Sequence, residues 1–418
     1  MESGKVHSPF ASETKGIHLQ SGNSIENIDY HKTLEKDMEN CYFIRTTKKD
    51  SEKAMAIPQK ILAMDIGGGT QDILIYEEGK SMENCVQMIL PSPTRIVAQQ
   101  IFKATTSGKN IFLAGNTMGG GPCSLAVEKH LQSGLKVYAT ELAALTFHDN
   151  LDEVRKRGIK ITNRPPKGTQ VIHLGDVDLT AIRKALSPFQ VNLPQTYAIA
   201  VQDHGFNPRG SNRLFRFQHW KRFLNSGGQL KNLVYLQPPK YMTRMIAVQR
   251  DAPGAALMDT CAAAIWGCLC DPLVAERKGE GLIAVNLGNQ HALGALVQGE
   301  RIWGVFEHHT GRMTRDKLKS FLNRFPRKLL SHEEVFRDGG HGCTVDPAFS
   351  RKKGYRLIAV SGPRRSLAEG LGYYMAAPYG DMMLTGCFGL VAALKAKLAT
   401  ENTESTESFN LFKKIKSK

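Results

Sequence analysis

The sequence predicts an α/β chain of two similar halves, each opening on a strand, a glycine-rich bend and a second strand. Three observations carry that expectation. The run Ile61-Leu62-Ala63-Met64-Asp65-Ile66 has the apolar density of a buried strand and ends in Gly67-Gly68-Gly69-Thr70. The run Leu282-Ile283-Ala284-Val285-Asn286-Leu287, followed by Gly288-Asn289, repeats it with every position 221 residues after its counterpart (Ile61 to Leu282, Asp65 to Asn286). Composition is ordinary for a globular protein, 41% hydrophobic and 22% charged, which excludes wholesale disorder and coiled coil. A repeat that preserves apolar positions, polar pivot, glycine and turn implies two like domains facing each other.

At 418 residues the chain has room for two or three domains. Residues 1–56 are polar and aperiodic, with one apolar cluster at Cys41–Ile44, and read as a disordered extension lacking the apolar core of a signal peptide. The sequence leaves the native start open between Met1 and Met55. The first domain is expected over 57–251. Its opening hairpin continues in Asp72–Tyr76, the turn Glu77–Lys80 and a third strand, Val86–Leu90. A helix over Pro93–Thr105 and a strand over Asn110–Ala114 follow. Gly115-Asn116-Thr117-Met118-Gly119-Gly120-Gly121-Pro122 then leads into a helix, Ser124–Gln132. Further strands are expected at Val171–Leu174, Thr196–Gln202 and Leu233–Leu236.

The second domain is expected over 252–400. It begins with a small-residue helix, Ala252–Cys270, whose alanines suit close packing against another helix. The second hairpin and a third strand, Ile302–Phe306, come next. The polar tail 401–418 reads as flexible. The longest apolar stretch, Ala252–Ala275, is broken by Asp259 and Asp271 and is too short and too charged for a membrane span. Eight cysteines are too sparse for a disulfide scaffold. A cytoplasmic protein with reduced thiols is therefore expected.

The net charge of +16 sits in the folded part. Residues 57–400 hold 43 basic and 27 acidic groups, whereas the two ends nearly balance. His204–Arg250 carries nine Lys/Arg and no carboxylate; Arg351–Arg365 carries six and none. Such patches favour anionic partners: nucleotides, phosphorylated metabolites or nucleic acid. The aromatics and bases interleaved over Arg213–Leu224 suit either a nucleic-acid surface or a helix with Leu214, Phe217, Phe223 and Leu224 inward and the bases solvated. The second account fits better, so nucleic acid is disfavoured.

Gly67, Gly68 and Gly69 let backbone N–H groups approach a polyphosphate without Cβ obstruction, while Thr70 adds a hydroxyl and Asp65 can hold Mg²⁺ through water. A plain hairpin turn needs fewer glycines than three followed by Thr70-Gln71-Asp72. Gly119-Gly120-Gly121-Pro122 is either a second anion site at a helix N-terminus or a tight strand-to-helix connection. Asp203-His204-Gly205 follows a strand, a usual place for reactive groups in open α/β sheets. His204 is a candidate general base with Asp203 as its orienter; a turn-capping Asp203 beside an ordinary histidine is the alternative. Glu307, His308, His309 and His341 form another candidate cluster, with no standard zinc spacing. The loop Asp338–Cys343 can carry His341 and Cys343 to a substrate.

These motifs resemble, in order, those of the actin, heat-shock chaperone and sugar kinase ATPase superfamily. Asp65–Asp72 looks like its first phosphate-binding hairpin, Asp251–Ala256 like the start of the first connecting helix, and Asn286–Asn289 like the second phosphate hairpin. Leu357–Arg365, with Gly362 at the turn, resembles the adenosine-contacting strand, and Leu384–Ala393 the second connecting helix. The phrases GNTMGGGP, QDHGFNPRGSNR, DGGHGC and TGCFGLV look like a prokaryotic branch often labelled pyruvate formate-lyase activating enzyme. That chemistry needs C-x3-C-x2-C to hold an iron–sulfur cluster, whereas Cys261, Cys268 and Cys270 are spaced C-x6-C-x-C. Radical chemistry is disfavoured on that ground.

The resemblance implies two ribonuclease-H-like domains, each with a mixed five-stranded sheet, around a cleft that takes ATP and Mg²⁺. It places Asp65, Gly67, Gly68, Gly69, Thr70, Gln71, Asp72, Gly288, Asn289 and Gly362 on the nucleotide, and Mg²⁺ on Asp65. Asn286 departs from the usual carboxylate, so an active enzyme needs another base. Asp203, His204 and His341 are the candidates, over a small anionic metabolite held by Arg209 and Arg213. An ATPase or phosphotransferase is the first expectation. A nucleotide-gated binding or activator module, with a protein partner and little turnover, is the second.

Overall fold

In the computed structural model, which describes residues 57–351 and 354–416, two like sheets flank a shared core. The extension 1–56 and the start at Met55 lie outside the described residues. The first sheet contains β1 (Lys60–Ile66), β2 (Thr70–Glu77) and β3 (Val86–Pro91). The chain then leaves it to build a separate parallel sheet. That sheet comprises β4 (Ile111–Gly115), β5 (Val137–Ala139), β6 (Ile159–Ile161) and β7 (Gln170–Leu174), in the order β6-β5-β4-β7. β8 (Thr196–Val201) and β9 (Ala256–Met258) return to the first sheet, giving β3-β2-β1-β8-β9. β1 runs antiparallel to β2 and parallel to β8. This is the ribonuclease-H-like order.

The second sheet repeats it. β10 (Leu282–Leu287), β11 (His291–Gln298), β12 (Arg301–His309), β13 (Gly342–Val345), β14 (Leu357–Ser361) and β15 (Tyr374–Met375) stand in the order β13-β12-β11-β10-β14-β15. β10 is antiparallel to β11 and parallel to β14. β13 makes this sheet six-stranded, one strand beyond expectation, because Gly342–Val345 pairs antiparallel to the edge of β12. The separate sheet β4–β7 was likewise unforeseen: Val137–Ala139 and Ile159–Ile161 are three residues each, too short to leave a periodic signal.

Strand alternation decides what faces what. Ile61 and Ala63 point into the shared core with Leu282 and Ala284, while Leu62 and Met64 point outward under Ile182 and Val248. The same parity puts Asp65 and Asn286 on the inner faces, at the strand ends. Two helices fill the space between the sheets: Thr260–Cys268 and the long Thr385–Lys416. Their backbones nearly touch. A Cβ on Gly267 would strike the Thr385 carbonyl, and one on Gly389 would strike the Ala263 carbonyl. Close packing therefore explains the small residues, as the composition predicts.

Several boundaries differ. The expected helix Ala252–Cys270 is in fact β9 followed by a helix, since Asp259 caps the latter by accepting from the Cys261 amide at 3.0 Å. β9 completes the first sheet beyond Asp251. Leu233–Leu236 contributes only a bridge from Tyr235 to Leu257. The last helix continues through Lys416, into the segment read as a tail. Among the described residues no helix is long and apolar enough to cross a membrane.

Candidate functional site

The two hairpins fold alike down to the turn. Gly67 N–H donates to the Thr70 carbonyl at 2.9 Å, and Gly288 N–H donates to the His291 carbonyl at 2.9 Å. They meet over a cleft of about 290 Å³. Gly68 lies against the Gln290 carboxamide, and Gly69 against that of Asn289, so a Cβ on either would displace that side chain. Gly121 presses on Gln290 as well, with the Gln290 amide nitrogen 2.9 Å from where its Cβ would stand. Gly362, at φ 99°, turns the chain after β14 directly beneath Asn286, a conformation that favours glycine. Of the residues expected on the nucleotide, Asp65, Gly67, Gly68, Thr70, Asp72, Gly288, Asn289 and Gly362 line the cleft. Gly69 and Gln71 do not: the Gly69 carbonyl accepts from Ser92 N–H, and Gln71 donates to the Pro91 carbonyl at 3.1 Å.

One end of the cleft holds paired carboxylates. Asp65 and Asp72 are register partners on adjacent strands, and Oδ1 of each is buried without a hydrogen bond. Burial, then the neighbouring charges of Asp72 and Asp259, hold the Asp65 carboxyl well above the usual range. Asp72 is pushed up to about 7 by burial, against a hydrogen bond from Thr70 and helped by Asp381. Two crowded, under-satisfied carboxylates beside a glycine bend fit a hard divalent cation with oxygen ligands. The second hairpin offers no such pair. Its corresponding partners are Asn286 and Leu293.

Basic groups in the cleft are already committed. Arg244 makes a bidentate ion pair with Asp176, at 2.7 and 2.9 Å, and donates to the Gln202 carbonyl. Gly119 packs against this guanidinium, and its N–H donates to Asp176. The Gly119–Gly121 turn opens the helix Gly121–Gln132, so its amides point at the same space.

The other end is a histidine cluster over a buried ion network. Arg216 donates to Glu307 at 2.8 Å and to Asp259 at 2.7 and 3.0 Å, and Gln202 also donates to Glu307. Burial opposes the charge on Glu307, yet Arg216, His341 and His291 hold its carboxyl well below the usual range. Above it, His204 Nε2 lies 3.1 Å from His341 Nε2. His291 completes a triangle of rings, with centroids 5.8 Å from His204 and 5.0 Å from His341. Burial lowers the pKa of all three, aided by Arg216; His341 falls to about 4. Burial thus disfavours the charged form of each ring, and the unprotonated nitrogen of an imidazole carries a lone pair.

Thus His204 and His341, expected in the two halves, do meet. Asp203 does not orient His204. Its carboxylate accepts from the Gly205 amide at 2.7 Å and the Met245 amide at 2.9 Å, the turn-capping alternative, and burial pushes its pKa up to about 6. Arg209 is exposed and lines no part of the cleft. Arg213 is spent on the loop bearing His341, donating to the Gly340 carbonyl at 2.8 Å and stacking over Phe336. His308 faces the opposite side of β12 from Glu307 and pairs with Asp338, while Cys343 is a buried member of β13. In the helix Asn212–Asn225, Leu214 is exposed, and Arg216, Phe217, Trp220 and Leu224 are buried. Its inward aromatics are not offered to bases.

Arg216, Asp259, Arg244 and His291 were not singled out from the sequence. For His291 the signal was there: the hairpin repeat places it opposite Thr70. Arg216 lay in a helix whose bases were all read as solvated.

Two like sheets, each presenting a glycine bend to one cleft, are the actin-like ATPase fold. Residues 118–367 match the model of the family described as "Putative pyruvate format-lyase activating enzyme (DUF1786)", and the chain belongs to that family. The matched region starts after the first hairpin and contains the second. No curated protein shares significant similarity with the chain. Solved structures that resemble it include the ethanolamine utilization protein EutJ from Carboxydothermus hydrogenoformans (11% identity, 86% of this chain and 99% of that one, TM-score 0.28). A Bacteroides thetaiotaomicron protein with actin-like ATPase fold and unknown function is another (8%, 82% and 98%, TM-score 0.32). So is the Aquifex aeolicus Ppx/GppA phosphatase (10%, 73% and 68%, TM-score 0.26). The activity in the family's description is not matched by the cysteines here: Cys261 abuts Arg216, and Cys270 donates to the Trp266 carbonyl.

Proposed function

We propose that the cleft binds ATP with Mg²⁺ and transfers or hydrolyses its terminal phosphate, the acceptor being a small anionic metabolite. The observation that carries this reading is the Asp65–Asp72 pair, two buried carboxylates with unpartnered oxygens beside a glycine bend that faces a second hairpin. Asp65 and Asp72 would hold the cation. A Mg²⁺ ion held there would supply charge neutralisation for the phosphate. The bend at Gly67 and Gly68 would face the polyphosphate, its Gly67 N–H held by the Thr70 carbonyl, and Gly362 with Pro363 would close the adenosine side. The helix N-terminus at Gly120–Gly121 would favour a second anion, whereas Arg244 and the Gly119 amide are held by Asp176. Titration calorimetry tests the reading: ATP should bind with Mg²⁺ and far more weakly in its absence, and equal affinity in both conditions would count against it.

A second reading, a nucleotide-gated binding module with little turnover, is favoured by Asn286 and by the Asn289 and Gln290 carboxamides packed on the glycine bend. An amide at Asn286 cannot take a proton from water. Binding of Mg-ATP without phosphate release would select this reading over the first.

A further inference from the structure

We propose that His204, His291 and His341 form a transition-metal site of the Zn²⁺ class that joins the two halves of the molecule across the cleft. One ring nitrogen of each lies within 4.8 Å of the others. Nitrogens bound tetrahedrally at ~2.05 Å stand roughly 3.4 Å apart, and His204 Nε2 and His341 Nε2 are already 3.1 Å apart. The His291 nitrogen stands farther out, within 4.8 Å of the other two, and closes the triangle by moving inward.

Four further features fit a metal better than a mere stack of rings. First, His341 is fully buried, yet its Nδ1 has no hydrogen-bond partner, and His291 Nδ1 is equally orphaned. Second, both Nδ1 atoms turn toward one carboxylate oxygen, Glu307 Oε1, at 3.9 and 4.0 Å. Contraction onto a metal would let Glu307 accept from these rings, the carboxylate–histidine–metal arrangement that fixes tautomer and orientation. Third, the charges beneath the cluster do not cancel. Two carboxylates, Glu307 and Asp259, share the single guanidinium of Arg216, leaving an excess negative charge beneath the three rings. A dication balances it. Fourth, His204 and His291 line the cleft, so the fourth coordination position opens on the space assigned to the acceptor.

Three imidazoles select a borderline metal such as Zn²⁺ over Mg²⁺ or Ca²⁺, which prefer oxygen. With three protein ligands and one open position, the site has the form of a catalytic rather than a structural centre, its open position taking water or an acceptor oxygen. It also ties β8 of the first sheet to β11 and β13 of the second, so metal binding would bias the cleft toward closure.

The test uses the full chain, stripped with chelator and titrated with Zn²⁺ alone. Equimolar binding is expected, with a rise in melting temperature and, on Co²⁺ substitution, a visible absorption band of a nitrogen-rich site. His291→Ala and His341→Ala should each weaken Zn²⁺ binding by about 100-fold or more. Exchange of an exposed histidine, His173→Ala, should leave it unchanged. Should either cluster variant fail to fold, the Co²⁺ spectrum of the wild type decides alone. Substoichiometric Zn²⁺, an oxygen-type Co²⁺ spectrum, or unchanged affinity in folded His291→Ala and His341→Ala would each overturn the proposal. Asp65→Asn separates this site from the nucleotide reading: it should keep full Zn²⁺ stoichiometry while losing Mg²⁺-dependent ATP binding. Loss of Zn²⁺ in Asp65→Asn would relocate the metal to the carboxylate end and sink the histidine site.

Discussion

Thr70 and His291 occupy one and the same place in the two hairpins, each giving its carbonyl to the first glycine of the bend at 2.9 Å. The backbone is duplicated and the side chains have diverged. At the first hairpin the bend sits against a carboxylate pair, Asp65 and Asp72. At the second it sits against imidazoles, with His291 beside His341 and His309. One fold thus presents hard oxygen ligands at one end of the cleft and nitrogen ligands at the other.

Asp65→Asn should lower Mg-ATP affinity at least about tenfold, roughly 1.4 kcal/mol. The apo protein should be as stable as wild type or more so, because Asp65 is raised by burial and by the charges of Asp72 and Asp259, which an amide no longer meets. Calorimetry and a thermal melt on the same sample check both signs. Unchanged Mg-ATP affinity would remove Asp65 from the cation site.

The helix crossing gives a sharper steric expectation. Gly267→Ala drives a Cβ into the Thr385 carbonyl and should cost about 2 kcal/mol or more. Gly279→Ala, with open space around it, should stay within about 0.5 kcal/mol. Urea denaturation of the pair reads the difference, and equal stabilities would mean the two helices separate without penalty.

The hairpins are legible in the sequence because continuous apolar runs and glycines are local signals, and their repetition doubles them. Asp65 and the glycines of the bends follow from that repeat, whereas Gly362 follows from the resemblance. The histidine end was half legible: His204 and His341 were named, but the spatial triangle depends on residues from β8, β11 and the start of β13, which no local pattern joins. For Asp203 the sequence leaves two readings open, because the choice between orienting His204 and capping a turn depends on Met245, 42 residues away. Arg216 was misread because a helical base is normally solvated; only the convergence of Asp259 and Glu307 makes its burial affordable in free energy.

His130 should make the β4–β7 region acid-sensitive. Its ring is fully buried, Nδ1 meets the Thr105 hydroxyl at 2.8 Å, and Nε2 has no partner. The Thr105 hydroxyl donates to the Ile101 carbonyl, so the ring N–H sits on Nδ1, and a second proton would be buried, its cost only partly offset by the Lys136 backbone. Burial accordingly lowers the folded-state pKa below the ordinary 6.5. The unfolded chain then binds more protons between the two pKa values, and stability falls as the pH drops below about 6.5. The melting temperature of His130→Gln should fall less than that of wild type between about pH 7.5 and pH 5. Parallel curves for the two proteins would count against this assignment.

Arg216→Met tests the ion network beneath the histidines. Arg216 pairs with both Glu307 and Asp259 and also donates to the Asp203 carbonyl at 3.0 Å, so its loss strands two carboxylates in the interior. Breaking a buried pair by removing one partner costs about 3–5 kcal/mol. Removing the other partner, in Glu307→Gln, leaves Arg216 still paired with Asp259 and should cost less. The order of stabilities in urea should therefore be wild type, then Glu307→Gln, then Arg216→Met. The reverse order would mean that Asp259 alone balances the guanidinium and that Glu307 carries the network.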